Sequence, residues 1–301
     1  MPMELAFFIE VLVAGLLSGV MYSLVALGFV LIFKASGVFN FAQGAMVLFA
    51  ALTFVRILEM GVNFWLAVAI ALAVMIVLAI IIERVMLRPL VAQPVIILFM
   101  ATIGLNYFLE GLAQGIWDSQ VHGLDIGIPD VPWMSLLEST NILISLFDVW
   151  SAVICGVLVL FLAFFFQKGR IGRALRAVAD DNQAAMSVGI PLQLIWAIVW
   201  ATAGMVALVA GAIWGQRLGV QFSISLVALK ALPVLILGGF NSIAGAIIGG
   251  LIIGASEKIA EVYLGPIIGG GIESWVAYFI AMLFLIARPQ GLFGEKIIER
   301  V

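Results

Sequence analysis

The nine residues GVFNFAQGA, Gly37 to Ala45, interrupt a very apolar part of the chain, with LVALGFVLIF just before them and MVLFAALTFV directly after. Glycine and asparagine are poor residues for a helix interior. Backbone groups freed at membrane depth are tolerated only inside protein or beside water. The stretch therefore predicts a break between two apolar helices, in which Gly37 and Gly44 let the backbone bend and pack.

The composition around this stretch predicts an integral membrane protein. The chain has 301 residues, of which 65% are hydrophobic and 10% charged, and its mean hydropathy is +1.27. A soluble domain carries about 25% charged residues. The net charge of −3 does not indicate nucleic-acid binding. With one Cys, Cys155, and one His, the chain cannot form an internal disulfide, and no metal site is predicted.

Eight hydrophobic segments are long enough to cross a bilayer, which takes about 20 residues each. They are 5–33, 35–55, 61–82, 89–109, 149–167, 191–214, 231–256 and 262–287. A ninth crossing is an alternative if 223–237, which contains Lys230 and Pro233, spans separately. The predicted fold is an all-α polytopic membrane protein with eight or nine transmembrane helices.

The distribution of basic residues predicts which side each loop faces. The loop 168–190 carries Lys168, Arg170, Arg173 and Arg176, whereas the connection 117–147 has no Lys or Arg. We therefore expect 168–190 to be cytoplasmic and 117–147 to be external. The tail residues Arg288, Lys296 and Arg300 predict a cytoplasmic C-terminus, and the side of the N-terminus is left open.

The break at Gly37–Ala45 has an echo in the second half of the chain. SLVAL occurs at 23–27 and again at 225–229, and GVFNFAQGAMV at 37–47 is matched by GGFNSIAGAII at 238–248. This order and spacing predict a duplicated core with two-fold internal repeat and a second break, marked by Gly238, Gly239 and Gly245. Close helix packing is the competing explanation for the glycines of the GxxxG pairs that begin at residues 15, 211, 245 and 250.

The loop 168–190 has helical content that a purely topogenic loop does not need. Residues 171–178 are good helix formers, and the run Asp180 to Asn182 can cap a second short helix that Gly189 and Pro191 would end. The sequence predicts two short helices on the cytoplasmic face, in position to receive a partner.

Several motifs carry a family resemblance. GRALRAVADDNQAAMSVGI resembles the coupling loop of permease subunits of bacterial ABC importers, in the form found in high-affinity branched-chain amino-acid systems. GVFNFAQGAMVLFAA, GGFNSIAGAIIGGLIIG and the ending ARPQGLFG are similar to signatures of the same family, in the same order. The resemblance covers essentially the whole chain and is to the LivH-type subunit of a type II importer-like permease pair.

The resemblance implies a single transmembrane permease domain over 1–301, placed in the bacterial inner membrane. Its implied partners are a LivM-type permease, two ATP-binding subunits and an external solute-binding protein. The loop 168–190 would couple to the ATPase through Gly172, Arg173, Arg176, Asp180, Asp181 and Gly189. The chain itself would hold no cofactor and catalyse no reaction, with ATP and Mg bound by partners, and in agreement it contains no G-x-x-x-x-G-K-[ST] phosphate loop.

Polar residues within apolar segments are candidates for the translocation path. Asn40, Gln43 and Asn241 lie at the two breaks, and Thr102, Asn106 and Glu110 share one helix face. The alternatives for this face are hydrogen bonding between helices and interfacial exposure. Lys230 is expected to snorkel or to pair with Glu257 or Glu261. Solvation is the expectation for Glu257, Lys258, Glu261 and His122.

Three rival functions remain at this point. An ABC permease for urea or short-chain amides would have closely related motifs. An ion-coupled secondary transporter would need intramembrane acids, for which Glu110 and Glu273 are the candidates. A membrane scaffold without transport activity would not need a duplicated core. The predicted function is an ABC importer permease for branched-chain or related hydrophobic amino acids.

Overall fold

A computed structural model describes residues 3–90 and 93–294, and most of these residues are helical. The α-helices in this part of the chain are α1 Met3–Ser36, α2 Gln43–Glu59, α3 Phe64–Ile81, α4 Val95–Trp117, α5 Met134–Thr140, α6 Leu146–Lys168, α7 Arg170–Asp180, α8 Asn182–Ser187, α9 Leu192–Leu218, α10 Val227–Gly238, α11 Ile243–Ile268 and α12 Glu273–Ala287. A π-helical turn, Ile82–Leu87, extends α3, and a 3-10 turn, Phe222–Leu226, leads into α10.

Six helices among the described residues are long and apolar enough to cross a membrane. They are Glu4–Ser36, Phe64–Leu90, Val95–Trp117, Leu146–Lys168, Leu192–Leu218 and Ile243–Ile268. Two shorter apolar helices, Phe222–Gly238 and Glu273–Ala287, accompany them. The prediction of an all-α polytopic membrane fold is confirmed.

Three predicted spans have the wrong limits. The segment 35–55 is divided, because α1 ends at Ser36 and α2 begins at Gln43. The segment 231–256 is not one helix, because α10 ends at Gly238 and α11 begins at Ile243. The segment 262–287 is also divided, because α11 continues to Ile268 and α12 begins at Glu273. Positive φ angles at the glycines that follow α10 and α11 end both helices, since L-residues with a Cβ rarely adopt that conformation. The alternative segment 223–237 does form a helix of its own.

The chain forms two compact units, each built from separate stretches of sequence. Unit 1 contains residues 1–27, 127–160 and 230–301, and unit 2 contains 28–126 and 161–229. Each unit holds one of the two break motifs, the first in unit 2 and the second in unit 1.

Unit 1 brings α1 and α11 together through a stripe of glycines. A Cβ on Gly15 would lie 2.7 Å from the carbonyl oxygen of Gly254, and a Cβ on Gly19 would overlap the backbone of Gly250 and Leu251. The two backbones therefore touch without intervening side chains. Two of the predicted GxxxG pairs, those at 15 and 250, serve this helix packing.

Unit 2 is built around α2, most of whose residues are buried. α2 packs against α3, α4 and α9. A Cβ on Gly211 in α9 would lie 2.8 Å from the carbonyl oxygen of Val47, so this glycine allows α2 and α9 to approach closely. The helix that follows the first break is thus the core of its unit.

Two segments named from sequence lie at the margins. The connection between α4 and α6 holds the short helix α5 and two isolated bridges, one pairing His122 with Val220 and the other Pro132 with Ser145. Of the basic tail residues, Arg288 directly follows α12, whereas Lys296 and Arg300 lie outside the described residues.

Candidate functional site

The loop 168–190 folds into the two short helices that its sequence predicts, α7 and α8. Gly172 lets α7 pack against the end of α6, because a Cβ there would overlap the carbonyl of Phe166. Arg176 Nη1 donates to that same carbonyl at 3.0 Å. The last carbonyls of a helix lack intrahelical donors, so Arg176 closes the C-terminal end of α6.

Capping residues set the limits of α8. Asp181 accepts hydrogen bonds from the backbone N–H groups of Gln183 and Ala184, at 2.8 and 3.0 Å, which is the N-cap arrangement. Gly189 follows the helix with φ +85, and its N–H donates to the carbonyl of Met186 at 3.0 Å. Asp181 and Gly189 therefore act on the ends of α8.

The exposed part of the two helices mixes charge with apolar surface. Arg173 and Asp180 are exposed, and the Arg173 guanidinium donates to the carbonyl of Lys168 at 3.1 Å. Met186 and Val188 are 46% and 76% exposed. We call Arg173, Asp180, Met186 and Val188 the docking face, after the partner that the sequence predicts for this loop; binding of that partner stays a prediction. Sequence reasoning missed the two apolar residues, although large apolar side chains in a short polar segment were a usable signal.

The docking face lies at one end of unit 2, together with the ends of several long helices. The indole N–H of Trp196 in α9 donates to the carbonyl of Ala35 in α1 at 3.0 Å. Arg88 Nη2 donates to Gln193 Oε1 at 2.7 Å. The start of α9, which follows the loop 168–190, is thus tied to the last turn of α1, which leads directly into the first break.

Two fully buried amides hold the first break together. Asn40 Oδ1 accepts from the N–H of Ala42 at 3.1 Å, and Asn40 Nδ2 donates to Gln43 Oε1 at 3.4 Å. Gln43 Nε2 donates to the carbonyl of Ala203 in α9, also at 3.4 Å. Both amides are 0% exposed. They supply partners to the backbone freed by the break, and contact with a solute stays a prediction.

The glycines of the first break have different local roles. Gly37 has φ +70, and its N–H closes α1 on the carbonyl of Phe33 at 2.7 Å. Gly44 has no such backbone requirement, but a Cβ there would overlap the carbonyl of Ser225. Gly37 therefore turns the chain, and Gly44 lets the start of α2 approach a neighbouring backbone.

Thr102 in α4 completes the first break. Its hydroxyl accepts from the N–H of Phe41 at 3.4 Å and lies 3.2 Å from the carbonyl of Phe39, to which it can donate. Asn106 and Glu110, which follow on the same face, are half-buried. Among the described residues of this face, Thr102 is the one that bonds to the break.

The second break is held by backbone packing. A Cβ on Gly238 or on Gly245 would overlap the carbonyl of the other residue. Gly239 adopts φ +99, and Ser242 Oγ accepts the N–H of Gly245 at 2.9 Å as the N-cap of α11. Asn241, the counterpart of Asn40, is only half-buried.

The ending ARPQGLFG packs against this second break. The N–H of Leu292 donates to the carbonyl of Leu237 at 2.8 Å, and the N–H of Phe293 donates to the carbonyl of Gly238 at 3.1 Å. A Cβ on Gly291 would lie 2.7 Å from the backbone nitrogen of Gly239. This signature supplies donors to the last carbonyls of α10.

The expectation that His122 is solvated is wrong. Its side chain is 8% exposed, because backbone hydrogen bonds in both directions hold it against Val220, beyond the end of α9. Nδ1 lies 2.8 Å from Glu59 Oε1, and Nε2 lies 3.0 Å from Asp118 Oδ1. Arg56 contacts the same Glu59 carboxylate at 2.7 Å.

These contacts change the titration of the loop groups. Burial alone would lower the pKa of His122, but hydrogen bonds to Asp118 and Glu59 raise it above the ordinary value. The pKa of Asp118 is lowered, first because its carboxylate accepts the backbone N–H of Gln120 and then because of His122. Both shifts favour a protonated His122 beside an ionised Asp118.

Lys230 pairs with an acid, as expected, but its ion pair is with Glu273, at 3.4 Å, while Glu257 interacts with it electrostatically. The expectation that Glu257 is solvated is wrong. Glu257 is 3% exposed and not solvated, and it accepts a hydrogen bond from Tyr22. The long-range packing of α1, α10, α11 and α12 makes these contacts, so no local sequence pattern could reveal them.

Metal chemistry has no site in the described part of the chain, where no group of three or more His, Cys, Asp or Glu side chains could hold an ion. The arrangement instead combines apolar spans, two helix breaks and a docking face.

The chain is similar to known permease proteins over its full length. The chain is 28% identical over 309 residues to the high-affinity branched-chain amino acid transport system permease protein BraD of Pseudomonas aeruginosa, with 99% of each chain covered. It is 28% identical over 317 residues to the corresponding permease LivH of Escherichia coli K12, with 100% of each covered. The probable branched-chain permease LivH of Methanocaldococcus jannaschii is 27% identical over 286 residues, which cover 90% of this chain and 88% of that protein.

Residues 11–288 match the family described as "Branched-chain amino acid transport system / permease component". Because this match runs through nearly the whole length of an apolar helical chain, the protein belongs to that family and is a multi-pass membrane permease subunit of an ABC transporter, not a catalytic enzyme.

Proposed function

We propose that the chain is the LivH-type permease of an importer that moves branched-chain or related hydrophobic amino acids across the inner membrane. The observation that carries the proposal is the end-to-end likeness to relatives named as branched-chain amino acid permeases. Permeases of this class work with ATPase and solute-binding partners. In the proposed complex the second permease is LivM-type, two partner subunits bind ATP and Mg, and an external binding protein delivers the solute.

In this proposal the loop 168–190 is cytoplasmic and the docking face receives the ATP-binding subunit. Arg173 and Asp180 offer charges of both signs, and Met186 and Val188 offer apolar surface that solvent would otherwise cover. Interfaces of this kind gain affinity from an apolar centre with a charged rim. Gly172, Arg176, Asp181 and Gly189 serve coupling indirectly, by giving α7 and α8 their shape.

The proposed translocation path uses the polar residues near the breaks in two ways. Asn40 and Gln43 hold the break in position from within the protein, as their complete burial supports. Asn106, Glu110 and Asn241, each half-buried, are the candidates to face the solute. The connection 117–147 is proposed to lie outside, where a binding protein docks.

Reconstitution with co-purified partners tests the proposed function. Proteoliposomes containing the complete importer, with ATP inside and binding protein outside, should accumulate leucine. Uptake should stop when ATP is replaced by a non-hydrolysable analogue and should survive collapse of the ion gradients. Uptake that follows an ion gradient without ATP would contradict the proposal in favour of a secondary transporter.

The same vesicles separate the solute classes. We expect uptake of leucine, isoleucine or valine and no ATP-dependent uptake of urea or acetamide. If urea or acetamide were accumulated and leucine were not, the urea and short-chain amide alternative would replace the proposed function while leaving the ABC mechanism intact.

A charge reversal tests the docking face. The variant Asp180→Arg should lose most binding-protein-stimulated ATP hydrolysis, because an exposed interface charge then meets its own sign. The amount of inserted permease and its melting temperature should stay unchanged. The matched control is Glu4→Arg, an exposed acid in the first turn of α1, outside both loops. Equal loss in both variants, or full coupling in Asp180→Arg, would contradict the docking face.

A further inference from the structure

Unit 1 contains a group of charged side chains inside apolar helices that the proposed coupling does not use. Lys230 lies in α10, Glu257 and Lys258 lie near the middle of the 26-residue helix α11, and Glu273 begins α12. We call these four residues the α11 charge cluster. Ionisable groups within apolar helices are costly, which makes this cluster a candidate functional site.

The contacts within the cluster centre on one carboxylate. Lys230 Nζ lies 3.4 Å from Glu273 Oε1, and Lys258 Nζ lies 3.3 Å from Glu273 Oε2. Two ammonium groups therefore share one carboxylate, and both distances exceed the roughly 2.7–2.9 Å of a tight charge-assisted bond. The pairs are loose, which is unlike an ion pair that braces a protein interior.

Three groups of the cluster are partly exposed. The side chains of Lys230, Lys258 and Glu273 are each about one-third exposed, at 31%, 34% and 34%. Glu257 is buried behind them on the Tyr22 hydroxyl, and the Lys230 ammonium lies 5.9 Å from the centre of the Tyr22 ring. The accessible groups thus offer two positive charges and one negative charge, with a second acid behind them.

This charge pattern fits the two ends of an α-amino acid. The carboxylate of the solute can lie between Lys230 and Lys258, in place of Glu273, and the released Glu273 can accept the solute ammonium. Every charge has a partner before and after this exchange, so no unpaired ion is left at membrane depth. An uncharged amide has hydrogen-bonding groups but no charges to balance the two lysines and Glu273.

We propose that the α11 charge cluster is a transient binding site for the zwitterionic head of the transported amino acid. This inference rests on the proposed function, because it assigns a site within the same permease. The lysines select the carboxylate and Glu273 selects the ammonium. The loose pairing makes binding weak, as a site on a path requires, since the solute must also leave.

The test uses the purified permease complex in nanodiscs without binding protein, so that the selectivity of the binding protein does not enter. Bound radiolabelled leucine is competed with 4-methylpentanoate, which carries only the carboxylate, 3-methylbutylamine, which carries only the ammonium, and 4-methylpentanamide, which carries neither charge. In the wild-type complex, both charged competitors should displace bound leucine at lower concentrations than the neutral amide does.

Each single variant should bind one of the two charged competitors more weakly. Lys258→Met should lower the affinity for 4-methylpentanoate about tenfold, the loss expected for one charge-assisted contact, and leave the affinity for 3-methylbutylamine nearly unchanged. Glu273→Gln should show the reverse selectivity. The control is Glu261→Gln in the same helix, because Glu261 accepts the backbone N–H groups of Gly271 and Glu273 and does not contact either lysine. This control should change no ranking.

Each result has a separate meaning. If the variants lost affinity for all competitors in equal proportion and also had a lower melting temperature, the cluster would be assigned to bracing the helices and the inference would be overturned. The inference would also be overturned if both variants kept the wild-type ranking while the wild-type importer accumulated leucine. If the wild-type importer accumulated neutral amides and not leucine, the proposed function would fail first and would take the inference with it.

Discussion

The two break motifs begin from similar sequences and are stabilised in different ways. At the first break, fully buried Asn40 and Gln43 bond to the backbone and to each other. At the second break, Gly238 and Gly245 meet backbone to backbone, and Asn241 stays half-buried. The repeated motif therefore preserves the interruption of the helix and not the interactions that support it. The following predictions, from the largest expected effect to the smallest, test this difference.

The largest effect is expected at the second break. Gly245→Val places branched carbon atoms against the carbonyl of Gly238, and the backbone cannot yield without moving α10 from α11. We expect a loss of about 3 kcal/mol or more, as for severe overpacking. Size-exclusion chromatography in mild detergent should show little folded permease. Gly104→Ala is the control, since a Cβ there meets open space, and folding of Gly245→Val as well as this control would contradict backbone contact at the second break.

The amides should separate the two breaks directly. Asn40→Ala removes the hydrogen bonds of Asn40 to the N–H of Ala42 and to Gln43 Oε1, which costs about 1–3 kcal/mol. Asn241→Ala should cost less than half as much, because Asn241 is half-buried and water can replace lost bonds. Thermal melting of both variants in detergent measures the difference. Equal losses of thermal stability in the two variants would show that both breaks are stabilised in the same way by their asparagine side chains.

A smaller effect is expected from the hydroxyl that joins α4 to the first break. Thr102→Val keeps the shape of the side chain and removes its bonds to Phe39 and Phe41, at a cost of about 1 kcal/mol. Thr202→Val is the matched control, since its hydroxyl bonds only to the preceding turn of α9, at the carbonyl of Ile198. A melting temperature equally lowered in both would indicate that the link between α4 and the break is unimportant.

The smallest effect concerns the helices that leave each break. α2 ends at Glu59, which contacts the titratable His122, whereas Glu261 near the end of α11 contacts backbone N–H groups. Folding raises the pKa of His122, so its contribution is complete below the ordinary value of 6.5 and is lost as the pH rises through the raised value. Folding lowers the pKa of Asp118, so its contribution is present above the ordinary 3.8 and is lost as the pH falls through the lowered value.

We therefore expect the melting temperature of the permease to fall slightly as the pH rises above neutrality. The corresponding loss in the free energy of unfolding should be about 1 kcal/mol or less. His122→Gln should flatten this dependence. Glu261→Gln should change the melting temperature by the same amount at every pH in this range, so that the slope of melting temperature against pH stays the same. A slope that is the same in His122→Gln and in wild type would assign the pH dependence to other groups.

Sequence reasoning reached the elements that depend on local composition. The apolar runs predicted the spans, the GxFN motifs predicted breaks where α1 and α10 end, and the Asp180 to Asn182 run with Gly189 predicted α8. It failed at 262–287, where Gly269 and Gly271 divide an unbroken apolar run. Hydrophobicity alone does not register a backbone turn inside an apolar segment.

Contacts between distant residues were beyond local reasoning. The burial of His122 depends on a bridge to Val220, 98 positions further on the chain. The choice of Glu273 as the partner of Lys230 depends on how α10, α11 and α12 pack. The closure of Arg176 onto Phe166 depends on the turn between α6 and α7. None of these choices is encoded in a spacing or a composition.

By itself the sequence determined that this protein is an apolar helical membrane protein with two interrupted helices and a capped helical loop, because hydrophobicity, glycine and capping act over a few neighbouring residues. Only the tertiary structure decided that one break is held by buried amides and the other by touching glycines, and that Glu257 is buried beside two lysines. The physical reason is that burial and pairing depend on which helices come together, and helix packing joins residues that are far apart in the chain.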